Sequence, residues 1–283
     1  PCTESPLFAL PNVVVTPHTG GSSAEALAAV GEVISTSTLA ALRGEAVPNA
    51  VNLPASSLQA RQLQALTSIA AAAGRLLAVL APERAARFGV TVDGLVQSDI
   101  VEHVVGAALS EALGRWTDRR VTPVNARLVA EESEIAVRVS QDDPNPECVP
   151  AFSFEITLRD EDEPAHHVVV RWDRREAGIV EVDGFRLNSP LAGDVLITHH
   201  RDQPGMIGQI GTILGRYDVN IAGMQVGRRE RARGAAIMVL NVDDEIPAAA
   251  LAEITVISGI ETAYVVSLPH PAPVDPVLAM TAP

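Results

Sequence analysis

The sequence predicts a chain of mixed class: an α/β remnant at the start, an α+β unit in the middle and a small βαββαβ unit near the end. Three observations point to it. The β-branched run Val13-Val14-Val15, followed by a loop and a capped helix, reads as one strand–helix step of a doubly wound sheet. Between residues 55 and 190, long alanine- and leucine-rich helical stretches mix with short alternating strands, which suits a mixed or antiparallel sheet. After Leu191 the elements follow the order strand, helix, strand, strand, helix, strand, the ferredoxin-like arrangement. The expected units are therefore 1–54, 55–190, 191–268 and a tail, 269–283, whose prolines predict disorder.

In the first unit, Thr16-Pro17-His18-Thr19-Gly20-Gly21 cannot continue a strand and forms a loop. Ser22 and Glu25 have capping-box spacing, and the following helix carries Leu27, Val30, Ile34 and Leu39 to about Arg43, with Gly44 past its end. One strand and one helix are too little to fold alone, so this piece is expected to pack on something outside the chain. After the prolines at 48 and 54, a helix is expected over Leu58–Leu80, closed by Pro82. Phe88, Val90 and Val92 alternate as a strand does. Val96–Trp116 reads as a helix broken at Gly114, residues 123–133 as a short helix, and Ile135, Val137 and Val139 as a strand. Phe152–Leu158, His167–Trp172 and Ile179–Leu187 are expected as three more strands, the last containing Asp183-Gly184. In the third unit Val195–His199 is a strand and Pro204-Gly205 a turn. Met206, Ile207, Ile210, Ile213 and Leu214 then share one helical face. Val219–Val226 and Ala235–Val242 read as a hairpin, a helix opens at Pro247, and Ile260–Leu268 closes the unit.

Composition narrows the function. The formal charge of −14 argues against nucleic acid and against anionic membrane surfaces. Two cysteines in 283 residues, Cys2 and Cys148, without CxxC spacing, argue against a disulfide framework or a zinc knuckle. No metal site is expected, and a reducing, cytoplasmic setting is the default. Charged or polar residues interrupt every long apolar run, so no membrane segment is expected. The first residues, without an initiator methionine or a basic leader, look like the interior of a longer protein.

His18 is the first chemical candidate. A histidine on a loop after an apolar strand can exchange protons near neutral pH, and Gly20 and Gly21 would let a ligand approach the backbone. A polar surface histidine has the same spacing. The stretch Leu10 to Ala26, with Thr16-Pro17-His18-Thr19-Gly20-Gly21 at its centre, resembles the last signature of the D-isomer-specific 2-hydroxyacid dehydrogenases. The family more often has leucine or isoleucine where Thr19 stands. The resemblance implies that His18 is the catalytic acid/base, that Gly20 and Gly21 lie at an NAD site, and that the partner glutamate, the substrate arginine and the glycine-rich fingerprint all precede this segment. No GxGxxG follows a strand in this sequence.

The second constellation is His200-Arg201-Asp202-Gln203-Pro204-Gly205-Met206, with Asn220 one strand later. A proline-glycine turn at a helix start exposes N–H groups that suit a carboxylate, Asp202 can receive an ammonium group, and the Asn220 amide can donate and accept. Together these suit an amino-acid zwitterion. The alternative is that Asp202 caps the helix and Asn220 serves the turn after Asp218. Residues 194–268 resemble the ACT domain, and Asn220-Ile221-Ala222-Gly223-Met224-Gln225-Val226-Gly227-Arg228 resembles its form on phosphoglycerate dehydrogenases. That resemblance implies L-serine as effector, bound between paired ACT domains by His200, Asp202 and Asn220, and hence a homo-oligomer. Val124-Asn125-Ala126-Arg127 and Val182-Asp183-Gly184-Phe185 are similar to phrases in that family's intervening domain.

The resemblance as a whole implies the C-terminal part of an NAD-dependent enzyme that oxidises 3-phosphoglycerate to 3-phosphohydroxypyruvate in L-serine biosynthesis, inactive without its cofactor-binding half. The rival readings are a non-catalytic amino-acid-binding module and another ACT-bearing 2-hydroxyacid dehydrogenase. Arg228, Arg229, Arg231 and Arg233 are expected as a solvated hairpin, and His166-His167 as surface residues without a third ligand.

Overall fold

The computed structural model describes residues 4–16, 19–43, 47, 50–51, 60–93, 97–141, 151–158, 163–172, 177–229 and 234–269. His18, Cys2, Cys148 and the proline-rich tail lie outside them. Among the described residues the chain forms ten strands and six α-helices in two sheets.

The N-terminal expectation is only half met. Val13–Val15 forms no strand, and Val14 and Val15 are exposed. A strand needs a ladder partner for its N–H and C=O groups, and no described strand lies beside this one. Helix α1 (Ala24–Arg43) does form, but its cap is Ser23, whose Oγ accepts from the Ala26 N–H at 3.2 Å, and not Ser22. No residue of α1 is buried. Its apolar face, Leu27, Val30, Ile34 and Leu39, stands in solvent.

The six-stranded sheet runs β2-β1-β3-β4-β5-β6. Its strands are β1 (Arg87–Asp93), β2 (Ala136–Gln141), β3 (Ala151–Thr157), β4 (His166–Trp172), β5 (Ala177–Val182) and β6 (Phe185–Pro190). Only β1 and β2 pair in parallel; the other neighbours are antiparallel. The expected single strand Ile179–Leu187 is instead the hairpin β5–β6. Asp183 (φ 48) and Gly184 (φ 77) turn the chain, both left-handed, as a two-residue hairpin loop requires. Helices α2 (Ala60–Leu80), α3 (Ser98–Trp116) and α4 (Ala126–Glu132) pack on this sheet. Gly114 does not break α3, which runs on to Trp116 and anchors its indole N–H on the Ala81 carbonyl at 3.1 Å. Packing outweighs the roughly 1 kcal/mol helical cost of one glycine. At Gly74 the backbone of α2 meets that of α3: a Cβ there would lie 2.0 Å from the Ala108 oxygen.

The four-stranded sheet runs β10-β7-β9-β8, the ferredoxin-like order, from β7 (Gly193–Arg201), β8 (Ile221–Arg228), β9 (Ala235–Val242) and β10 (Ile260–Leu268). Helices α5 (Met206–Arg216) and α6 (Ala248–Thr255) cover one face, burying Leu196, Met238 and Leu240 against Ile210, Leu214 and Ile254. The opposite face is covered over β7, β9 and the end of β10, while Gln225 of β8 stays exposed. Val195, Ile197, Ile237, Val239, Val266 and Leu268 belong to the same core as α2 and the six-stranded sheet. This is why Val195-Leu196-Ile197 and Ala236–Leu240 are unbroken apolar runs: both faces are buried. Arg75 of α2 donates to the Ser267 carbonyl at 3.1 Å, and β6 lies along β8. The expected boundary at 190/191 thus separates two sheets that share one core, with β8 the edge strand of its sheet and β6 packed along part of it.

Two helices have the length and hydropathy of a membrane span, Ala24–Arg43 at 1.3 and Leu63–Leu80 at 1.6. The second is 72% buried in the core.

Candidate functional site

The pocket that suits small-molecule binding lies on the helix-covered face of the four-stranded sheet, where β7 hands over to α5. Side chains alternate along a strand, so His200 faces this side while His199 faces the other. Past the end of β7, Asp202 turns back into the cavity. The chain then passes Gln203-Pro204 and reverses at Gly205 (φ 91), a conformation that suits glycine, to start α5. Gln203 fixes the turn by donating to the Ser258 carbonyl at 2.6 Å. The cavity measures about 450 Å³ and is lined by His200, Asp202, the 203–207 turn, Val226, Arg228 and Met238.

Its polar groups are few and oriented. Arg228, at the end of β8, grips Asp202 with two contacts, Nε to Oδ2 at 3.1 Å and Nη2 to Oδ1 at 3.2 Å. Asp202 is mostly shielded and Arg228 half exposed. His200 is buried, its Nδ1 3.2 Å from the Thr198 hydroxyl and 3.3 Å from the Thr198 carbonyl. Burial lowers its pKa from the ordinary value, against the opposing pull of Thr198 and Asp202, so the ring is neutral at pH 7. The first turn of α5 leaves N–H groups without intrahelical partners at the floor.

The structure brings together two of the three expected effector residues, His200 and Asp202. Asn220 is elsewhere. It stands before β8 and donates to Asp243 at 2.6 Å, while its N–H reaches Asp244 at 3.2 Å. Asp202 lies at the far end of β8, beside Arg228, so eight strand residues separate the two, roughly 25 Å. Within one chain Asn220 cannot close over a ligand at Asp202. Arg228 takes the place that the sequence reading gives to solvent. Nothing in the linear sequence marks it, because the pairing of Asp202 with Arg228 depends on the register of β7 and β8 on β9.

Gly20 and Gly21 are exposed, with nothing within 4 Å of where a Cβ would sit, and His18 lies outside the described residues. The described residues do not make a dinucleotide site. They hold no strand–glycine loop–helix cradle, and their only parallel strand pair is β1–β2 at a sheet edge. A larger groove of about 820 Å³ crosses β4–β6, but the two arginines of its lining, Arg171 and Arg186, are open to solvent.

His166 and His167 are not free surface residues. His166 Nδ1 lies 3.0 Å from Asp183 Oδ2, and the His167 N–H donates to Asp183 Oδ1 at 2.8 Å. From the other sheet His199 Nε2 comes within 2.9 Å of Asp183 Oδ2, a close polar contact without good hydrogen-bond alignment. Burial alone would raise the Asp183 carboxyl, but His166, His199 and the His167 N–H outweigh it and hold it well below the usual carboxylate range. Arg229 lies over the Phe185 ring at 4.7 Å and donates to the Asp183 carbonyl. The phrase Val124–Arg127 is structural too: Asn125 Oδ1 receives the Thr122 N–H at 2.7 Å, and Arg127 holds Glu102 through two bonds.

Comparison with known proteins agrees with this architecture. Residues 195–259 match the ACT domain family. The chain is similar to D-3-phosphoglycerate dehydrogenase of Synechocystis sp. strain PCC 6803, 36% identical over 272 residues, which is 95% of this chain and 48% of the relative. It is 32% identical to the Mycobacterium leprae enzyme of the same name over 87% of this chain and 46% of the relative. Against the Bacillus subtilis enzyme it is 30% identical over 95% of this chain and 51% of the relative. The chain spans about half the length of the curated relatives it matches. The four-stranded unit is an ACT domain, in the position expected of the C-terminal part of such a dehydrogenase.

Proposed function

We propose that this chain is the regulatory C-terminal part of an NAD-dependent phosphoglycerate dehydrogenase, and that its ACT pocket binds a small amino acid, with L-serine the first candidate. The observation that supports it best is the Asp202–Arg228 pair beside a buried, neutral His200. An ion pair across a cavity is a template for a zwitterion: the ligand's ammonium takes Asp202, and its carboxylate takes Arg228 and the first N–H groups of α5. His200 offers a neutral hydrogen-bonding group to a side-chain hydroxyl. Asn220 joins the site from a second copy of the chain, which is the reading that its distance from Asp202 leaves, and which makes the protein a homo-oligomer. The oxidation of 3-phosphoglycerate with NAD belongs to the whole enzyme in the cytoplasm. This chain brings His18 to it as acid/base, next to Gly20 and Gly21, and by itself is expected to form no NADH from 3-phosphoglycerate.

Calorimetric titration of the chain with L-serine, glycine and L-alanine tests the pocket. Asp202→Ala and Arg228→Ala are each expected to weaken binding about 5- to 150-fold, the equivalent of roughly 1–3 kcal/mol for an orphaned polar partner. Asn220→Ala is expected to weaken binding and dimer formation together. Absence of heat with any small amino acid rejects the pocket, and binding unmoved by Asp202→Ala rejects its chemistry. A second reading, a regulatory module without a catalytic partner, is separated by the gene: a glycine-rich βαβ unit in frame upstream supports the enzyme.

A further inference from the structure

Two adjacent pairs of side chains straddle the ACT sheet. On β7, His200 lines the pocket while His199 reaches through the opposite face to Asp183. Where β8 ends, Arg228 holds Asp202 in the pocket while the next residue, Arg229, stacks on Phe185 and donates to the Asp183 carbonyl. Strand alternation makes this possible for the histidines, and the chain's exit from β8 does so for the arginines. Both partners across the sheet, Asp183 and Phe185, sit at one place, the β5–β6 turn of the other unit. That turn is held tightly. Asp183 is fixed by His166 and by the His167 N–H, and His167 Nε2 is bonded to Ser153 of β3 at 2.7 Å. His199 is braced from its far side by Thr262 of β10 at 3.1 Å. The carboxylate is therefore contacted from both sheets at once, close to the ends of β7 and β8 that line the pocket.

We propose that the Asp183 turn is an interdomain latch, which couples the state of the ACT pocket to the six-stranded unit through the neighbours His199/His200 and Arg228/Arg229. Rearrangement of Arg228 in the pocket moves the end of β8 and with it Arg229. A shift of His200 moves β7 and with it His199. Both movements reach the same turn, and from there β4 and β3. The coupling itself follows from geometry in the free chain; its use as a regulatory route rests on the amino-acid-binding reading above.

Hydrogen exchange on the full 283-residue chain tests the latch with and without ligand. Without ligand, His199→Asn and Asp183→Asn, which leave every pocket side chain in place, are expected to raise exchange at least threefold in 200–209. Arg228→Ala, which touches no latch residue, is expected to do the same in 164–170 and 183–187. If each substitution alters only its own side of the sheet, the latch is overturned, whether or not any amino acid binds. Asp183→Ala removes the whole carboxylate and risks unfolding; His199→Asn gives up the contact between the sheets and the brace on Thr262 but keeps the carboxylate, and so keeps the test decisive. With 10 mM L-serine, a concentration on the order of the weak end of small-ligand affinities, protection is expected to rise in both segments of the wild type. In Asp183→Asn it is expected to rise in 200–209 alone. Serine binding in the wild type with no response at 183–187 overturns the regulatory route and leaves the pocket reading intact. Cross-sheet loosening without serine binding does the reverse.

Discussion

Helices α1 and α2 are close to the same length and both are apolar enough to cross a membrane, yet one buries no residue and the other is the centre of the core. α1 presents Leu27, Val30, Ile34 and Leu39 to solvent, while α2 buries Leu66, Ile69, Leu76 and Leu80 against α3, the six-stranded sheet and β10. Apolar spacing specifies which face of a helix can be buried; it does not say that a partner is within the chain. α2 finds its partner because Gly74 lets α3 approach backbone to backbone. α1 has no such surface among the described residues, and one tie at its end is an Arg120 bond to the Leu42 carbonyl.

The contrast can be broken by paired substitutions. Leu76→Ala, in a side chain with no exposure, is expected to cost about 2–5 kcal/mol in urea unfolding. Ile34→Ala on the open face of α1 is expected to stay within about 0.5 kcal/mol. A large loss at Ile34 would mean that α1 is packed in solution, by this chain or by a second copy. Gly74→Ala comes next: the clash with Ala108 is expected to lower stability by about 1–3 kcal/mol. Gly31→Ala, with open space around it, is expected to leave the main transition in place and raise helicity in α1 alone, readable as slower exchange there.

Acid sharpens the same contrast between a gripped and an open carboxylate. The Asp183 pKa is lower in the folded state than its ordinary value of 3.8, so its contribution is complete above that pH and lost as pH falls below it. Asp183→Asn is expected to cost about 1–3 kcal/mol at pH 7. The gap from wild type should close as both are titrated below pH 3.8, because the wild type loses the contribution that the variant lacks. A gap that persists unchanged down to pH 2 rejects the ionic origin. The smallest effect is expected at Ser23→Ala, which removes the cap of α1, frays its first turn and leaves the global melting curve unmoved.

Much of the fold is legible in the sequence because local signals and tertiary context agree. The ferredoxin-like order and the turn at Pro204-Gly205 appear where the sequence places them, and Met206, Ile210, Ile213 and Leu214 are buried as one face, while Ile207, expected with them, stands half exposed at its rim. The failures have separate physical causes. Val13–Val15 has the β-branched composition of a strand but no ladder to join. Asp183-Gly184 is a hairpin signal in its own right, and counting through it merges β5 and β6. At the site, His200 near the end of β7 and Asp202 in the loop after it are legible because a carboxylate and a helix start lie next to each other in the chain. Arg228 is not, because its role depends on pairing with a residue 26 positions away. The unbroken apolar runs of β7 and β9 do announce a sheet covered on both faces, which is the clue to the shared core.

That shared core bears on how freely the four-stranded unit could be exchanged between proteins. An ACT domain with one solvated face can be cut out or grafted as a cassette. Here, cutting at 190 would strip the cover from Val195, Ile197, Ile237, Val239, Val266 and Leu268, a continuous aliphatic surface flanked by unpaired strand edges. The excised module is expected to aggregate, and a chimera that borrows it would have to borrow α2 as well. In this chain the piece that could be moved with its core intact is the pair of sheets together.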